Sequence, residues 1–315
     1  MFRARRRTSL RLRLSPPLMF MGTCALLSIA AAQITAAAPF RQPASAAAAD
    51  GTTCPAGATL ARAAATRHTS GIATALDAIL DAGVYTGQAL TISGAGRSTS
   101  INLPAESFVG KQMGDALVYT RFANGKSEVH LADVATGCDT IVARPAGVVR
   151  SAVLDPSAAA VYVHAVSNPA RTDLGVTRYA LDGSAGTQAV PPVPDDPDFG
   201  LTFGTQLGWS TDGTALFVQS CGAEQCRTRV LDLTSYALAT YADAGQGSIV
   251  GVTSKHVVTF AACDASPCPV ISIDRASAAE KTLAQQAISA SIDATAGGSA
   301  EATITTPAGT TEVDQ

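Results

Sequence analysis

The stretch Gly208-Trp209-Ser210-Thr211-Asp212-Gly213-Thr214-Ala215-Leu216-Phe217-Val218 reads as strand, tight turn, strand. Asp-Gly between two short apolar runs supplies the turn, because Gly tolerates φ > 0 and Asp can bond its own backbone. The unit recurs, and that recurrence limits the fold more than any other feature. Its second strand has counterparts in Ala116-Leu117-Val118-Tyr119, Ala159-Ala160-Val161-Tyr162-Val163 and His256-Val257-Val258-Thr259-Phe260. Each is followed by a run ending in aspartate. These are Asp133, Asp182, Asp232 and Asp274, spaced 49, 50 and 42 residues apart. A shorter copy ends on Asp314, 40 residues further on.

A strand–turn–strand unit repeated at this period matches the blade of a β-propeller. One small sheet cannot bury both of its faces, whereas a ring of sheets lets each cover its neighbour. Strict apolar–polar alternation is then not required of the strands. The expectation is an all-β fold of about five or six four-stranded blades over residues 105–315. At these residues the chain resembles the TolB-like and WD40-like propellers of exported bacterial proteins, in which a Ser-Pro-Asp-Gly turn precedes a short apolar strand. Ser210-Thr211-Asp212-Gly213 carries the likeness with Thr in place of Pro, and Leu154-Asp155-Pro156-Ser157 carries it more loosely. The resemblance implies an architecture and transfers no catalytic residue.

The last copy stops after its third strand. A strand from the N-terminal arm (57–104), at 89–93 or 99–103, is therefore expected to join that blade and close the ring, with an open arc as the rival. Ile72, Leu76, Ile79 and Leu80 fall at helical spacing ahead of Gly83, which predicts a short amphipathic helix over 70–82.

The first residues have a different purpose. Arg3, Arg5, Arg6, Arg7, Arg11 and Arg13 precede an apolar run over 18–38, the order of an export signal. The run is near the length a bilayer requires, so an uncleaved anchor, a membrane tether through 18–38, competes with a cleaved signal peptide. Residues 39–56 read as a disordered linker of Ala, Pro and Ser. Either way the body of the chain is expected outside the cytoplasm, secreted, periplasmic or anchored at the cell surface.

Cysteine usage agrees with export. Of seven cysteines, Cys24 lies in the leader, leaving Cys54, Cys138, Cys221, Cys226, Cys263 and Cys268. Cys221 with Cys226 and Cys263 with Cys268 share one spacing between strand-like runs, and a hairpin brings such ends within disulfide reach. Cys54 then pairs with Cys138 by elimination. A four-cysteine zinc site is the weaker alternative, because export favours oxidation.

Chemistry is sparse. No Gly-x-Ser-x-Gly elbow occurs, and Gly245-Gln246-Gly247-Ser248-Ile249-Val250-Gly251 leads into no helix, so it reads as a Gly-rich strand approach. His68, His130, His164 and His256 lack metal-ligand spacing and are read as structural or exposed. Asp195, Asp196 and Asp198 form the densest acidic cluster, a weak Ca²⁺ candidate set against a solvated loop. Trp209, the single Trp, is read as core in preference to a sugar platform. No catalytic residue and no cofactor are expected. A net charge of -3 gives no electrostatic reason for a nucleic-acid partner.

The function expected is therefore that of an exported, non-catalytic propeller. It would bind a protein or small-molecule ligand, or act as a scaffold, at the cell envelope. The alternative is an enzyme, hydrolase or lyase in type, with its site built from loops at the propeller channel. A purely structural envelope protein is the third reading.

Overall fold

A computed structural model describes residues 54–315 apart from 95–96, 169–171, 194–203, 222–225, 243–247, 262–265 and 296–298. The described chain forms one helix and six antiparallel sheets. The first sheet holds β1 (Ala73–Asp81), β2 (Val84–Gly94) and β3 (Arg97–Pro104). The second holds β4 (Ala116–Ala123), β5 (Lys126–Asp133) and β6 (Cys138–Ala143). The third holds β7 (Val148–Leu154), β8 (Ala160–Val166), β9 (Asp173–Ala180) and β10 (Thr187–Val190). The fourth holds β11 (Gly204–Trp209), β12 (Ala215–Cys221), β13 (Cys226–Asp232) and β14 (Leu238–Ala242). The fifth holds β15 (Ile249–Val252), β16 (His256–Phe260), β17 (Cys268–Asp274) and β18 (Glu280–Ala287). The sixth holds β19 (Ser289–Ala294), β20 (Ala300–Thr306) and β21 (Gly309–Asp314).

Each sheet is a simple meander, with sequential strands as neighbours. Ahead of β4, Gly110 N donates to Val118 O (2.8 Å) and Thr120 N to Phe108 O (2.7 Å), so residues 108–110 act as a short leading strand of the second sheet. β4, β7, β11, β15 and β19 lie side by side in that order, which turns successive sheets about a common axis. The fold is a β-propeller.

Alternation along the second strands shows why no polar face is needed. In β8, Val161 and Val163 enter the core shared with the second sheet, while Ala160 and Tyr162 enter the core shared with the fourth. In β12, Leu216 and Val218 face the third sheet, and Ala215 and Phe217 face the fifth. The period of 2 survives, but it separates two cores instead of core from water. Each such Val, Leu or Phe contributes about 1.5–3 kcal/mol by leaving water. Five apolar clusters join the six sheets in sequence order. Among the described residues, none joins the sixth sheet to the first.

Several expectations are corrected. Residues 73–81 are strand β1, where the spacing of Ile72, Leu76, Ile79 and Leu80 predicts a helix. Leu76 and Leu80 are 50% and 62% exposed, so that spacing marks no buried face. Gly83 does not stop a helix. With Ala82 it forms the two-residue turn of the β1–β2 hairpin, both residues at positive φ. The helix instead is α1 (Gly57–Ala65), built on alanines and one leucine, the strongest helix formers. Segments 89–93 and 99–103 pair with each other in the first sheet and do not complete the sixth, so the ring-closing strand is also corrected. Disulfides join Cys54 to Cys138 and Cys221 to Cys226, with Cα atoms 5.5 Å and 3.9 Å apart. Cys268 is also disulfide-bonded, and Cys263 lies outside the described residues.

The repeated aspartate has a structural meaning. After the third strand of each later sheet, a backbone N–H returns to the start of the second strand, to the residue just before it or, in the sixth sheet, to its first residue. Val134 donates to Asp115 O, Leu181 to Ala159 O, Leu233 to Thr214 O, Arg275 to Lys255 O and Gln315 to Ala300 O. The residue before each is Asp133, Ala180, Asp232, Asp274 and Asp314. Asp182 therefore sits two residues beyond its equivalents and caps a turn of its own through Ser184 N (2.9 Å). Asp133, Asp232 and Asp274 each accept two backbone N–H bonds from the residues two and three ahead. These turns all lie on one rim of the propeller.

Candidate functional site

Two grooves on that rim occupy equivalent positions in the repeat, and they differ in what fills them. Between the second and third sheets lies α1. Leu60, Ala61 and Ala64 are buried against Leu131, Cys138, Ala158 and Leu181. Gly114 makes the approach possible, because a Cβ there would lie 2.4 Å from Ala65 O and 2.8 Å from Ala64 O. Ala64 O accepts from Asp115 N (2.8 Å), so one carbonyl at the helix end is satisfied by the sheet's turn.

Beyond α1 the arm is fastened by charge. Arg67 Nε donates to Asp115 Oδ2 (2.6 Å), and its Nη2 donates to Asp133 Oδ2. Thr69 N and Oγ1 donate to the same Asp115 carboxylate at 2.9 Å and 2.7 Å. Burial pushes the Asp115 carboxyl up, but the bonds from Thr69 and Arg67 outweigh it and hold the group below its ordinary value. The Cys54–Cys138 disulfide ties the other end of the arm to the same sheet.

The equivalent position between the fourth and fifth sheets is an open groove of about 350 Å³. Its floor and one wall are Val230, Ala237, Ala239 and Tyr241, and the facing wall is Ser254, Lys255 and Arg275. By the backbone register, Val230 replaces Leu131, Ala237 replaces Cys138, and Arg275 replaces Leu181. Arg275 is thus a cation where Val134, Leu181 and Leu233 are apolar. Its Nη1 donates to Thr253 O (2.8 Å) and Ser254 O (3.1 Å), and its own carbonyl accepts from Tyr241 Oη (3.1 Å). The guanidinium is therefore held in place by neutral oxygens. Lys255 is exposed beside it. Among the described residues, neither cation has a carboxylate within salt-bridge distance.

Two carboxylates also line the groove, each tied through Oδ1 to its own turn and kept ionised there. Asp274 Oδ1 accepts from Ser277 Oγ (2.7 Å) and from Ser277 N and Ala276 N, and these bonds hold its pKa below the ordinary value. Asp232 Oδ1 accepts from Ser235 and Thr234 in the same way, and these bonds, with the nearby Arg275 charge, hold its pKa below the ordinary value. The groove thus offers an apolar floor edged by two cations, Lys255 and Arg275, and two ionised carboxylates, Asp232 and Asp274.

A second polar cluster is buried between the third and fourth sheets. His164 Nε2 donates to Asp173 Oδ1 (2.6 Å), and Arg229 Nη2 lies 3.2 Å from Asp173 Oδ2. Gly175 N and Val193 N also donate to this carboxylate (2.9 Å and 2.6 Å), and Arg229 Nη1 donates to Pro191 O. Burial raises the Asp173 carboxyl, yet these donors bring it down to about 2. His164 is 0% exposed, so this cluster is closed to solvent and serves the packing of two sheets.

The residues singled out in the sequence fall as follows. Asp195, Asp196 and Asp198 lie outside the described residues, as does the apolar run 18–38. His130 stacks on Tyr119 with centroids 4.7 Å apart, and Asp139 holds both, with Tyr119 Oη donating to its carboxylate. Trp209 donates from Nε1 to Leu154 O (2.7 Å) and meets Tyr162 edge to face at 5.1 Å, a core role between sheets. Among the described residues no group of three or more His, Cys, Asp or Glu is placed to hold a metal ion, and no helix is long and apolar enough to cross a membrane. The groove residues escape a motif search. Only the aligned repeats reveal Arg275 in an apolar slot.

No protein-family model matches the chain, and no curated protein matches it in sequence. Similar solved structures include TolB from Acinetobacter baumannii, at 13% identity and TM-score 0.49 over 78% of this chain and 63% of that one. The β-propeller domain of the Trilobed protease from Pyrococcus furiosus is similar at 10% identity and TM-score 0.49, over 79% of both chains. An acylaminoacyl peptidase from Pyrococcus horikoshii is similar at 11% identity and TM-score 0.47 over 79% of this chain, which spans 45% of its length.

Proposed function

We propose that the chain is an extracytoplasmic binding module, a disulfide-stapled propeller that takes up a polypeptide segment of a partner in the rim groove between its fourth and fifth sheets. One observation carries the reading. The equivalent groove two sheets earlier is filled by the chain's own helix α1, so this surface shape suits a short apolar segment, and the later copy is open. Binding of this kind needs no arranged nucleophile or metal. It needs a concave apolar patch with a few fixed polar groups, which Ala237, Ala239, Tyr241 and Arg275 supply. The disulfides support an oxidising compartment, in line with the arginine-led apolar leader.

The test is site-specific photocrosslinking in cells that produce the chain. A photoreactive residue at Ala239 is expected to give a discrete covalent adduct with a polypeptide, whereas the same residue at Lys126, in a hairpin of the second sheet, gives none. Equal labelling at both positions, or none at Ala239, would reject the reading.

A further inference from the structure

Among the described residues, the third, fourth and fifth sheets have four strands each, and the second gains a fourth from residues 108–110. The sixth sheet stops at three, and no described strand pairs with the outer edge of β21. The register shows what that edge offers. Gln315 N donates to Ala300 O (2.8 Å), and bonded pairs alternate along an antiparallel ladder. Thr311 and Val313 therefore direct their N–H and C=O groups to β20, whereas those of Thr310, Glu312 and Asp314 point outward. Solvent-facing edges are commonly blunted by Lys, Pro or a bulge, and β21 has none of these.

The charge beside this edge is of one sign. Asp293, Glu301 and Asp314 stand directly opposite one another across β19, β20 and β21, and Glu312 lies on the same face opposite Thr303. The other face packs on the fifth sheet through Ala302, Ile304 and Val313. No Lys, Arg or His occurs over 282–315. Among the described residues, none of the four carboxylates is within salt-bridge distance of a cation. Lys281 pairs with Ser272, which meets Gln315 (2.7 Å) on the side of the fifth sheet, away from the acidic face. On the uncovered face of the first sheet, the rows Ala75–Thr91–Ser100 and Asp77–Ala89–Asn102 add one more carboxylate and no cation. Like charges directly opposite in a ladder are destabilising, so a cationic cover would stabilise this face. Leu283 and Val313, on the outer strands of the core shared with the fifth sheet, stay only half-buried.

From the free edge and its one-sided charge we infer that the sixth sheet is completed by an extended segment of a partner polypeptide, in which Lys or Arg alternates with β-branched residues. The segment adds to β21 as a fourth strand. Its basic side chains stand beside Glu312 and Asp314, and its alternate side chains extend the core at Val313 and Leu283. The backbone edge holds the strand, and the carboxylates select its sequence. This site is separate from the rim groove between the fourth and fifth sheets, and the inference does not rest on that groove being a binding site.

The test is titration of the purified full chain with the fluorescent peptide Thr-Lys-Val-Lys-Val-Lys-Val-Thr. Its controls are the isomer Thr-Val-Lys-Lys-Lys-Val-Val-Thr and the acidic peptide Thr-Glu-Val-Glu-Val-Glu-Val-Thr. The alternating basic peptide should bind at least tenfold more tightly than either, and more weakly as salt rises. It should slow exchange of the outward amides of Thr310, Glu312 and Asp314, which ion pairing alone would leave unprotected. E312Q/D314N should lower the affinity at least tenfold. Glu312→Pro and Asp314→Pro each remove an outward N–H while keeping the bonds to β20, and each should lower it as much. Circular dichroism and amide exchange in β20 confirm that these variants fold. Ala239→Trp, in the rim groove, should change nothing. Equal binding of the isomer, or unprotected outward amides, would overturn strand addition. Equal binding of the acidic peptide would overturn the charge match, and no binding of the alternating peptide at millimolar concentration would overturn both. The groove reading stands or falls separately, on the adduct at Ala239.

Discussion

At the scale of single residues, the strongest electrostatic commitment is Asp173. Its carboxyl sits at about 2 in the folded chain, below the ordinary 3.8. The folded value being the lower one, its contribution is complete above about pH 4 and is lost as pH falls toward 2, an effect of about 2 kcal/mol. Urea unfolding of the wild type at pH 6, 4 and 2 should show this loss, and Asp173→Asn should flatten the pH dependence. Asp173→Ala is expected to cost about 3–5 kcal/mol at pH 7, because it leaves Arg229 buried without its partner. A different residue carries backbone strain. Gly137, Tyr236 and Ala278 stand four residues past Asp133, Asp232 and Asp274, all at positive φ. Tyr236 holds φ +57 while its ring is 77% exposed, so little packing offsets the left-handed conformation. Tyr236→Gly should therefore raise the urea midpoint, by about 0.5–1 kcal/mol once the greater freedom of glycine in the unfolded chain is deducted.

At the scale of elements, α1 decides whether the two-groove comparison is sound. Its attachment has three parts: the disulfide, the Arg67 clamp and the close approach over Gly114. Removing the disulfide as C54A/C138A should cost about 2–5 kcal/mol. It should also speed amide exchange in α1 more than in β8 or β12. Gly114→Ala should have a similar local effect without touching a cysteine, since its Cβ collides with carbonyls that cannot move far. This element also marks where the sequence is hard to read. The second strands and their turns are legible, because Asp-Gly and β-branched runs act locally. The 70–82 segment misleads because four apolar residues at helical spacing also suit a hairpin, and only pairing with β2 decides between them. Asp182 misleads for a related reason. The turn chemistry of an aspartate is visible, but its register is fixed by Leu181 N meeting Ala159 O, a contact between distant positions. The groove is less legible still, since Val230, Ala239 and Arg275 come together only when two sheets pack.

At the scale of the whole described fold, six sheets share five apolar interfaces, and that inequality has thermodynamic consequences. Where each unit packs only on its neighbours, stability is close to a sum of unit and interface contributions. The third and fourth sheets each have a core on both faces. The first and sixth have a core with one neighbour, and the burial pattern agrees: β1 and β21 are exposed along nearly their whole length, whereas every residue of β8 is buried. Native-state hydrogen exchange should therefore resolve a gradient. Amides of β8 and β12 should exchange only through global unfolding, and those of β1, β2, β20 and β21 through smaller openings that cost less and depend weakly on urea. The candidate groove lies between the fourth and fifth sheets, one interface in from the sixth. Opening of the sixth sheet should then leave its walls in place, so occupancy of the groove should protect β13 and β14 without protecting β20. If instead the first and sixth sheets exchange as slowly as the third, the two ends must be covered by a contact outside the described residues, and the additive picture of five interfaces fails.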